Sequence, residues 1–173
     1  MSRPIVKHET KRLLLKPTGI EDAPFILSLL NTPSWIENIG DRNVHSITAA
    51  SKYIQEKMLP NYEKHGYGNY IVIRKIDKVK MGTSGIYARP NVEDVDIGFA
   101  MLPDYMGKGY SYEAASKLME LAKAEFGLKK ITALTTRNNI ASQNLIKKLG
   151  MKYLKDIRLE NDPEVLMQFG MEL

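Results

Sequence analysis

The sequence predicts a mixed α+β domain in which helices pack against a central sheet. Seven short apolar runs have the length of strands, and four longer segments repeat apolar residues at helical spacing. The predicted order is strand, two helices, three strands, helix, strand, helix and two strands. Because this order does not alternate strictly between strands and helices, it argues against a doubly wound dinucleotide-binding fold.

The first elements are predicted from short local patterns. The run "RLLLK" at 12–16 predicts a buried strand. Thr18 and Glu21 are spaced to form a capping box, which would begin an amphipathic helix that continues to about Asn31. Turn-forming residues in 32–46 predict a long loop.

A second helix follows this loop. Ser46 or Thr48 can cap it, and Pro60 is expected to kink or end it. Three strands joined by turns come next, and Gly98 within the third marks a bulge or a close backbone approach. These strands are predicted at 70–74, 81–87 and 95–101.

The last third of the chain returns to helices. A helix that follows Gly109 stops at Gly127, and Glu113 and Lys117 within it have the supportive i,i+4 spacing. The remaining elements are a strand at 130–136, a helix within 138–150, and strands at 151–159 and 165–173.

Composition limits the class of protein. The 173 residues are 43% hydrophobic, which suits one compact domain over 1–173. The absence of cysteine excludes disulfides, thiolate zinc sites and a cysteine nucleophile, and it suits a reducing cytoplasm. The N-terminus lacks the apolar core of a signal peptide, and no apolar run reaches the ~18–20 residues that span a bilayer. We therefore expect a cytoplasmic protein.

Charge and histidine content limit the classes of ligand that the protein is expected to bind. The net charge of +5 favours anionic ligands of many kinds. Nucleic-acid binding is not expected, because the cationic residues form no dense stripe interleaved with aromatic residues. The three histidines (His8, His45 and His65) have no ligand spacing between them, so no metal site is expected.

The stretch "YMGKGYSYEAASKLM" at 105–119 is a glycine-rich turn that leads into a helix. Its spacing does not match a Walker A loop, and Tyr112 stands where a dinucleotide fingerprint needs its third glycine. An acyl-CoA diphosphate loop instead needs small residues where backbone N–H groups approach the phosphates, as Gly107, Gly109 and Ser111 provide. A tight turn without a ligand is the alternative that this motif alone leaves open.

Two ordered motifs resemble the GNAT family of N-acetyltransferases, and most closely its ribosomal-protein N-terminal (alanine/serine) acetyltransferase branch. The first is "MGKGYSYEA" at 106–114, and the second joins Asn139, Ala141 and Ser142 to "LGM" at 149–151. The opening "ETKRLLLKP" is also similar to the start of that branch. Met106 departs from the Gln, Arg or Trp that the family usually has at this position.

The resemblance implies a fold and an activity. The fold would be a mostly antiparallel central sheet of about seven strands flanked by helices, with a splayed strand pair at the cofactor site. The activity would be direct transfer of an acetyl group from acetyl-CoA to a primary amine, on a protein N-terminus or a small molecule. The alternative is a CoA-binding sensor or scaffold domain without turnover.

The resemblance also implies which residues bind acetyl-CoA. The strand at Phe99, Ala100 and Met101 would offer backbone groups to the pantetheine, and a bulge near Gly98 would open that strand from its neighbour. The glycine turn would bind the diphosphate, and the second motif would contact the pantetheine. These two sets are Met106, Gly107, Lys108, Gly109, Tyr110 and Ser111, and Asn139 and Ser142.

Proton transfer is assigned by the same resemblance. Many family members protonate the leaving thiolate with a tyrosine at the position that Ile146 occupies here. Ser142 is the substitute candidate, as a proton relay or as a hydrogen-bond donor to the thiolate. Asp96 matches an acidic strand position that serves as base, whereas the alternatives are a solvent-facing carboxylate and an ordered water as base.

The loop at 32–46 is the candidate acceptor wall. Trp35, Glu37 and Arg42, with the nearby Asp41 and His45, would suit an ammonium-bearing substrate. A Trp35 side chain packed inside the protein is the alternative. The final strand could also pair with a second subunit to form a homodimer.

Overall fold

The computed structural model describes residues 6–173, so residues 1–5 of the predicted domain lie outside the described part. Eight strands in this part form one sheet with the order β1-β2-β3-β4-β5-β6-β8-β7. Neighbouring strands are antiparallel except for the parallel pair β5 and β6. The strands are β1 (His8–Glu9), β2 (Leu13–Pro17), β3 (Asn69–Arg74), β4 (Lys80–Tyr87), β5 (Asp96–Met101), β6 (Lys130–Thr135), β7 (Lys152–Ile157) and β8 (Leu166–Glu172).

The predicted α+β fold with a mostly antiparallel sheet is confirmed. The eighth strand is β1, which has only two residues and is too short to show a periodicity. The sequence-based idea that the final strand pairs with a second subunit is wrong, because β8 lies between β6 and β7. β7 is the edge strand at that side of the sheet.

Six α-helices flank the sheet in residues 6–173, and two segments differ from the sequence-based expectation. The predicted loop at 32–46 contains a short helix, because Pro33 suits a first turn and the Thr32 hydroxyl accepts the Trp35 N–H. Ser46 caps the next helix as predicted. The chain does not leave the helix at Pro60: one π-helical turn at Ile54–Met58 comes before this residue, and the helix then continues to His65. The helices are α1 (Ala23–Leu30), α2 (Pro33–Asn38), α3 (Ile47–Tyr53), α4 (Leu59–His65), α5 (Tyr110–Ala124) and α6 (Ile140–Lys148).

Each face of the sheet carries its own hydrophobic core. The core on one face packs α5 against inward side chains of the central strands, including Ile97 and Met101 of β5. The core on the other face packs α1 and α3 against Ile71 and Ile73 of β3. Because side chains alternate along a strand, Asp96, which precedes Ile97, lies on the face that α1 and α3 cover.

The turn into α1 is held by Asp22 rather than by the predicted Thr18–Glu21 capping box. The Asp22 carboxylate is fully buried and accepts hydrogen bonds from the Gly19 N–H (2.8 Å), Lys16 Nζ (2.6 Å) and Lys80 Nζ (2.8 Å). Burial opposes its charged form, but these three donors more than offset burial and hold the pKa of Asp22 below its usual value. Lys16 and Lys80 lie on different strands, so Asp22 fastens α1 to the sheet.

We expect Asp22→Asn to lower the free energy of unfolding at pH 7 by about 3 kcal/mol, because it leaves two ammonium groups without their buried partner. A depressed pKa stabilises the fold above the unfolded value and loses that effect as pH falls through the folded value. The deficit relative to wild type should therefore shrink below about pH 4.

Urea unfolding at several pH values measures this difference. Glu21→Gln is the matched control, since Glu21 pairs with the same Lys16 but its side chain is 70% exposed. We expect it to change stability by less than about 1 kcal/mol. Equal losses for the two variants would contradict the role given to Asp22.

Candidate active site

The sheet is open between β5 and β6. Among the described residues, β5 pairs with β4 along its whole length but with β6 only where Asp96 is opposite Thr132. The Thr132 N–H donates to the Val95 carbonyl (2.9 Å), which closes the start of the opening. Beyond this point the two parallel strands separate, so the predicted splayed pair is present.

The predicted bulge at Gly98 is not the cause of this opening. Gly98 stands opposite Gly85 in an uninterrupted β4–β5 register, so that part of the expectation was wrong. A Cβ at Gly98 would come within 3.0 Å of the Tyr87 ring, which explains a glycine there by close packing.

Strand alternation identifies the peptide groups that face the opening. The Val95 carbonyl points to β6, whereas the Leu102 N–H points to β4 and donates to the Met81 carbonyl (2.8 Å). Peptide groups of alternate residues point to opposite neighbours, so those of Phe99 and Met101 face the opening. Those of Ala100, the third predicted residue, face β4.

The glycine turn lies between β5 and α5. Gly107 and Gly109 have φ values of 71° and 82°, which glycine adopts without strain. The first hydrogen bond at the start of α5 runs from the Glu113 N–H to the Gly109 carbonyl (3.1 Å). The backbone N–H groups ahead of Glu113 therefore have no partner within the helix, and they form a positive helix N-terminus that suits an anion.

The side chains of this turn differ in their exposure to solvent. Met106 is half exposed, Lys108 is exposed and donates to the Asp104 carbonyl (2.9 Å), and Tyr110 is buried in the core. Only the backbone of Tyr110 can therefore meet a ligand at the helix end. Ser111 is partly exposed in the first turn of α5.

Sequence reasoning missed an ion pair beside this turn. The Arg12 guanidinium donates to Glu113 (Nε to Oε2, 2.6 Å) and to the Lys108 carbonyl (Nη1 to O, 3.2 Å). The expected Glu113–Lys117 pair is wrong, since Lys117 bonds Glu120 instead. Local i,i+4 spacing could not reveal a partner 101 residues away in the chain.

The second motif lies at the same end of the opening. α6 follows β6 as the glycine turn follows β5, and the carboxyl ends of adjacent parallel strands meet at one edge of a sheet. Lys148 of α6 lies 4.3 Å from the centre of the Tyr112 ring in the first turn of α5. Asn139 caps α6 by accepting the Ser142 N–H (3.1 Å), and the Ser142 side chain is partly exposed.

Asp96 is buried rather than solvent-facing. Both carboxylate oxygens accept hydrogen bonds from Arg89 (2.6 and 3.1 Å), which lies in the turn before β5. Burial raises the pKa of Asp96, and Arg89 opposes that rise without cancelling it. Tyr87 stands opposite Asp96 in the register and donates its hydroxyl to Asn69 Oδ1 (2.7 Å).

A groove of about 450 Å³ lies beside the candidate acceptor loop. Arg42 and Asp41 line it together with residues of α3, including Tyr53. The groove therefore lies on the side of the sheet that α3 covers. Burial is the main cause that raises the pKa of Tyr87, the residue opposite Asp96 in the sheet, and Asp96 adds to this rise.

The other acceptor candidates are placed differently. Trp35 packs against the α1–α3 core, as the alternative interpretation had it, and among residues 6–173 its buried indole N–H has no hydrogen-bond partner. Glu37 is exposed on α2, and neither residue lines the groove. His45 lies 3.9 Å from Asp41.

The described part of the chain contains no group of three or more His, Asp or Glu side chains placed to hold a metal ion. It also contains no helix with the length and apolar character that crossing a bilayer requires.

Comparison with known proteins supports an acetyltransferase. YoaA of Bacillus subtilis, described as an uncharacterized N-acetyltransferase, is 28% identical over 145 residues, which cover 83% of this chain and 81% of YoaA. An acetyltransferase structure from Agrobacterium tumefaciens superposes with a TM-score of 0.82 at 20% identity, covering 100% of this chain and 98% of that one. RimL, a ribosomal alpha-N-protein acetyltransferase in complex with coenzyme A, has a TM-score of 0.78 at 16% identity, and the match covers 95% of this chain and 96% of RimL.

A model of the acetyltransferase (GNAT) domain matches residues 12–152. This span contains β2, the glycine turn, the open strand pair and the second motif. It agrees with the fold, and it includes both of the ordered motifs on which the sequence resemblance rested. The chain therefore belongs to the GNAT family of acetyltransferases.

Proposed function

We propose that this acetyltransferase binds acetyl-CoA in the opening between β5 and β6 and passes the acetyl group directly to a primary amine. The observation that carries the proposal is the loss of β5–β6 pairing beyond Asp96 and Thr132. It leaves strand peptide groups for the pantetheine at the same edge as the free N-terminus of α5. The glycine turn at 106–111 then binds the diphosphate.

The chemistry follows from this placement. The amine nitrogen forms a bond to the thioester carbon while the carbon–sulfur bond breaks, and CoA leaves as a thiolate. An N–H of Phe99 or Met101 that faces the opening can stabilise the carbonyl oxygen as it becomes negative. Without cysteine, no cysteinyl intermediate can form, which agrees with direct attack.

Asp96 is the proposed base, acting on the ammonium proton directly or through a water. Burial raises its pKa, which makes the carboxylate a stronger base than an exposed one, and Arg89 holds its orientation. Ser142 is the proposed donor to the departing thiolate. Its hydroxyl is a far weaker acid than a thiol, so it relays a proton or donates a hydrogen bond rather than ionising.

The acceptor is proposed to enter from the α3 face, opposite the α5 core. Asp41 and Arg42, which line the groove, form its outer wall. Because the groove is open, it admits either a protein N-terminus or a small amine. The fold-level likeness to RimL favours the first of these two acceptors.

The cellular compartment is proposed from the composition, and the oligomeric state from the edge of the sheet. The cysteine-free chain suits the cytoplasm. A homodimer would use β7, since this edge strand exposes Tyr153 and Leu154.

A thiol-release assay tests the function, because the chain has no cysteine of its own to react with the reagent. We expect free CoA to appear from acetyl-CoA only when an acceptor amine is present. N-terminal peptides and small primary amines are the acceptors to screen. The matched control is the same peptide with an acetylated N-terminus. CoA binding without release for any amine would favour the sensor or scaffold alternative.

Asp96→Asn tests the base. We expect kcat/KM to fall by about 100-fold and to lose the acid limb of its pH profile, since a general base contributes at least this much. The melting temperature is measured in parallel, because the change also leaves Arg89 without its partner. A variant that loses stability but keeps kcat/KM and the acid limb would make Asp96 structural and leave water as the base.

Ser142→Ala tests the thiolate donor. We expect kcat to fall by about tenfold, the effect of losing one charge-assisted hydrogen bond, while KM for acetyl-CoA changes by less than about twofold. Asn144→Ala, at an exposed position of the same helix, is the matched control. Equal losses in kcat and in acetyl-CoA affinity would make Ser142 a binding residue only.

A further inference from the structure

We propose that Arg12 is a positioning residue for cofactor binding: supported by Glu113, it holds the 108–109 peptide so that its N–H faces the bound diphosphate. This inference rests on the proposed use of the glycine turn for acetyl-CoA. Arg12 belongs to the N-terminal segment and lies outside both the glycine turn and the second motif.

The geometry ties three separate segments together. Glu113 Oε1 accepts the Thr10 hydroxyl (2.6 Å) and the Arg12 N–H (2.8 Å), while Oε2 accepts Arg12 Nε (2.6 Å). This leaves Arg12 Nη1 to donate to the Lys108 carbonyl (3.2 Å). The guanidinium also lies 4.4 Å from the centre of the Tyr110 ring. Arg12 is therefore held at several points before it reaches the turn.

The bond to the Lys108 carbonyl fixes a peptide that could otherwise rotate. Gly107 and Gly109 flank Lys108, and glycine has access to both signs of φ. In a trans peptide the carbonyl and the following N–H point in opposite directions. With its carbonyl held toward β2 by Arg12, the peptide directs the Gly109 N–H away from β2, to the side where a ligand can approach.

Glu113 gives the pair a second effect on the site. An unpaired carboxylate in the first turn of α5 would repel a diphosphate at the helix N-terminus. Burial opposes its charged form, but Thr10 and Arg12 offset burial and hold the pKa of Glu113 below its usual value. Arg12 therefore neutralises a carboxylate that stays ionised, and the pair adds no net charge to the diphosphate site.

The absence of net charge allows a test that separates positioning from simple attraction. The double variant Arg12→Gln/Glu113→Gln removes the pair without changing the charge of the protein. We expect its Kd for CoA, measured by calorimetry without an acceptor, to rise about tenfold, the scale of one lost charge-assisted hydrogen bond. The slope of log Kd against log salt concentration should stay that of wild type.

The chain offers a matched control in the Arg74–Asp77 ion pair (2.6 Å). Arg74 contacts the Tyr110 hydroxyl (3.4 Å) but donates to Asp77 and not to the turn carbonyl. Arg74→Gln/Asp77→Asn is also neutral in net charge. We expect it to change the Kd for CoA by less than about twofold. An equal rise in Kd for the two double variants would overturn the proposal.

A shortened substrate tests whether the effect is confined to the diphosphate. S-acetylpantetheine lacks that group, so its kcat/KM in the Arg12→Gln/Glu113→Gln variant should remain within about twofold of wild type. An equal loss with acetyl-CoA and S-acetylpantetheine would show general damage to the site and would overturn the proposal, as would a changed salt slope. The CoA measurement needs no amine, so it stands or fails separately from acetyl transfer.

Discussion

The proposed site depends on one feature of backbone pairing, namely that β5 does not pair with β6 beyond Asp96. β4 satisfies one edge of β5 throughout, so the strand stays rigid while its other edge is left open. Peptide groups held in a strand are fixed in direction before any ligand arrives. A cofactor that completes this edge binds groups already in place, with little ordering to supply.

The side chains of β5 alternate between the two faces of the sheet. Ile97 and Met101 point into the α5 core, whereas Asp96 points to the face that α1 and α3 cover. The proposed diphosphate site belongs to α5 and the proposed acceptor groove to α3, and these two helices cover opposite faces of the sheet. This division is consistent with direct transfer, in which both substrates are bound at once.

Ion pairs join separate elements of the fold. Asp22 binds Lys16 and Lys80 from two strands, and Arg12 reaches Glu113 and the glycine turn. These carboxylates are largely or fully removed from water, so losing a partner matters more than it would at the surface. Several of the helix and loop positions near the site thus rest on charges far apart in the sequence.

The sequence by itself determined most of the strands, the longer helices and the glycine turn at 106–111, because strand length, helical spacing and glycine tolerance are local properties of the chain. It predicted the strand that carries Asp96 for the same reason. Tertiary structure decided which residues contact one another. The Arg12–Glu113 pair, the Arg89–Asp96 pair and the place where β5 leaves β6 join residues through folding, and spacing along the chain carries no record of such contacts.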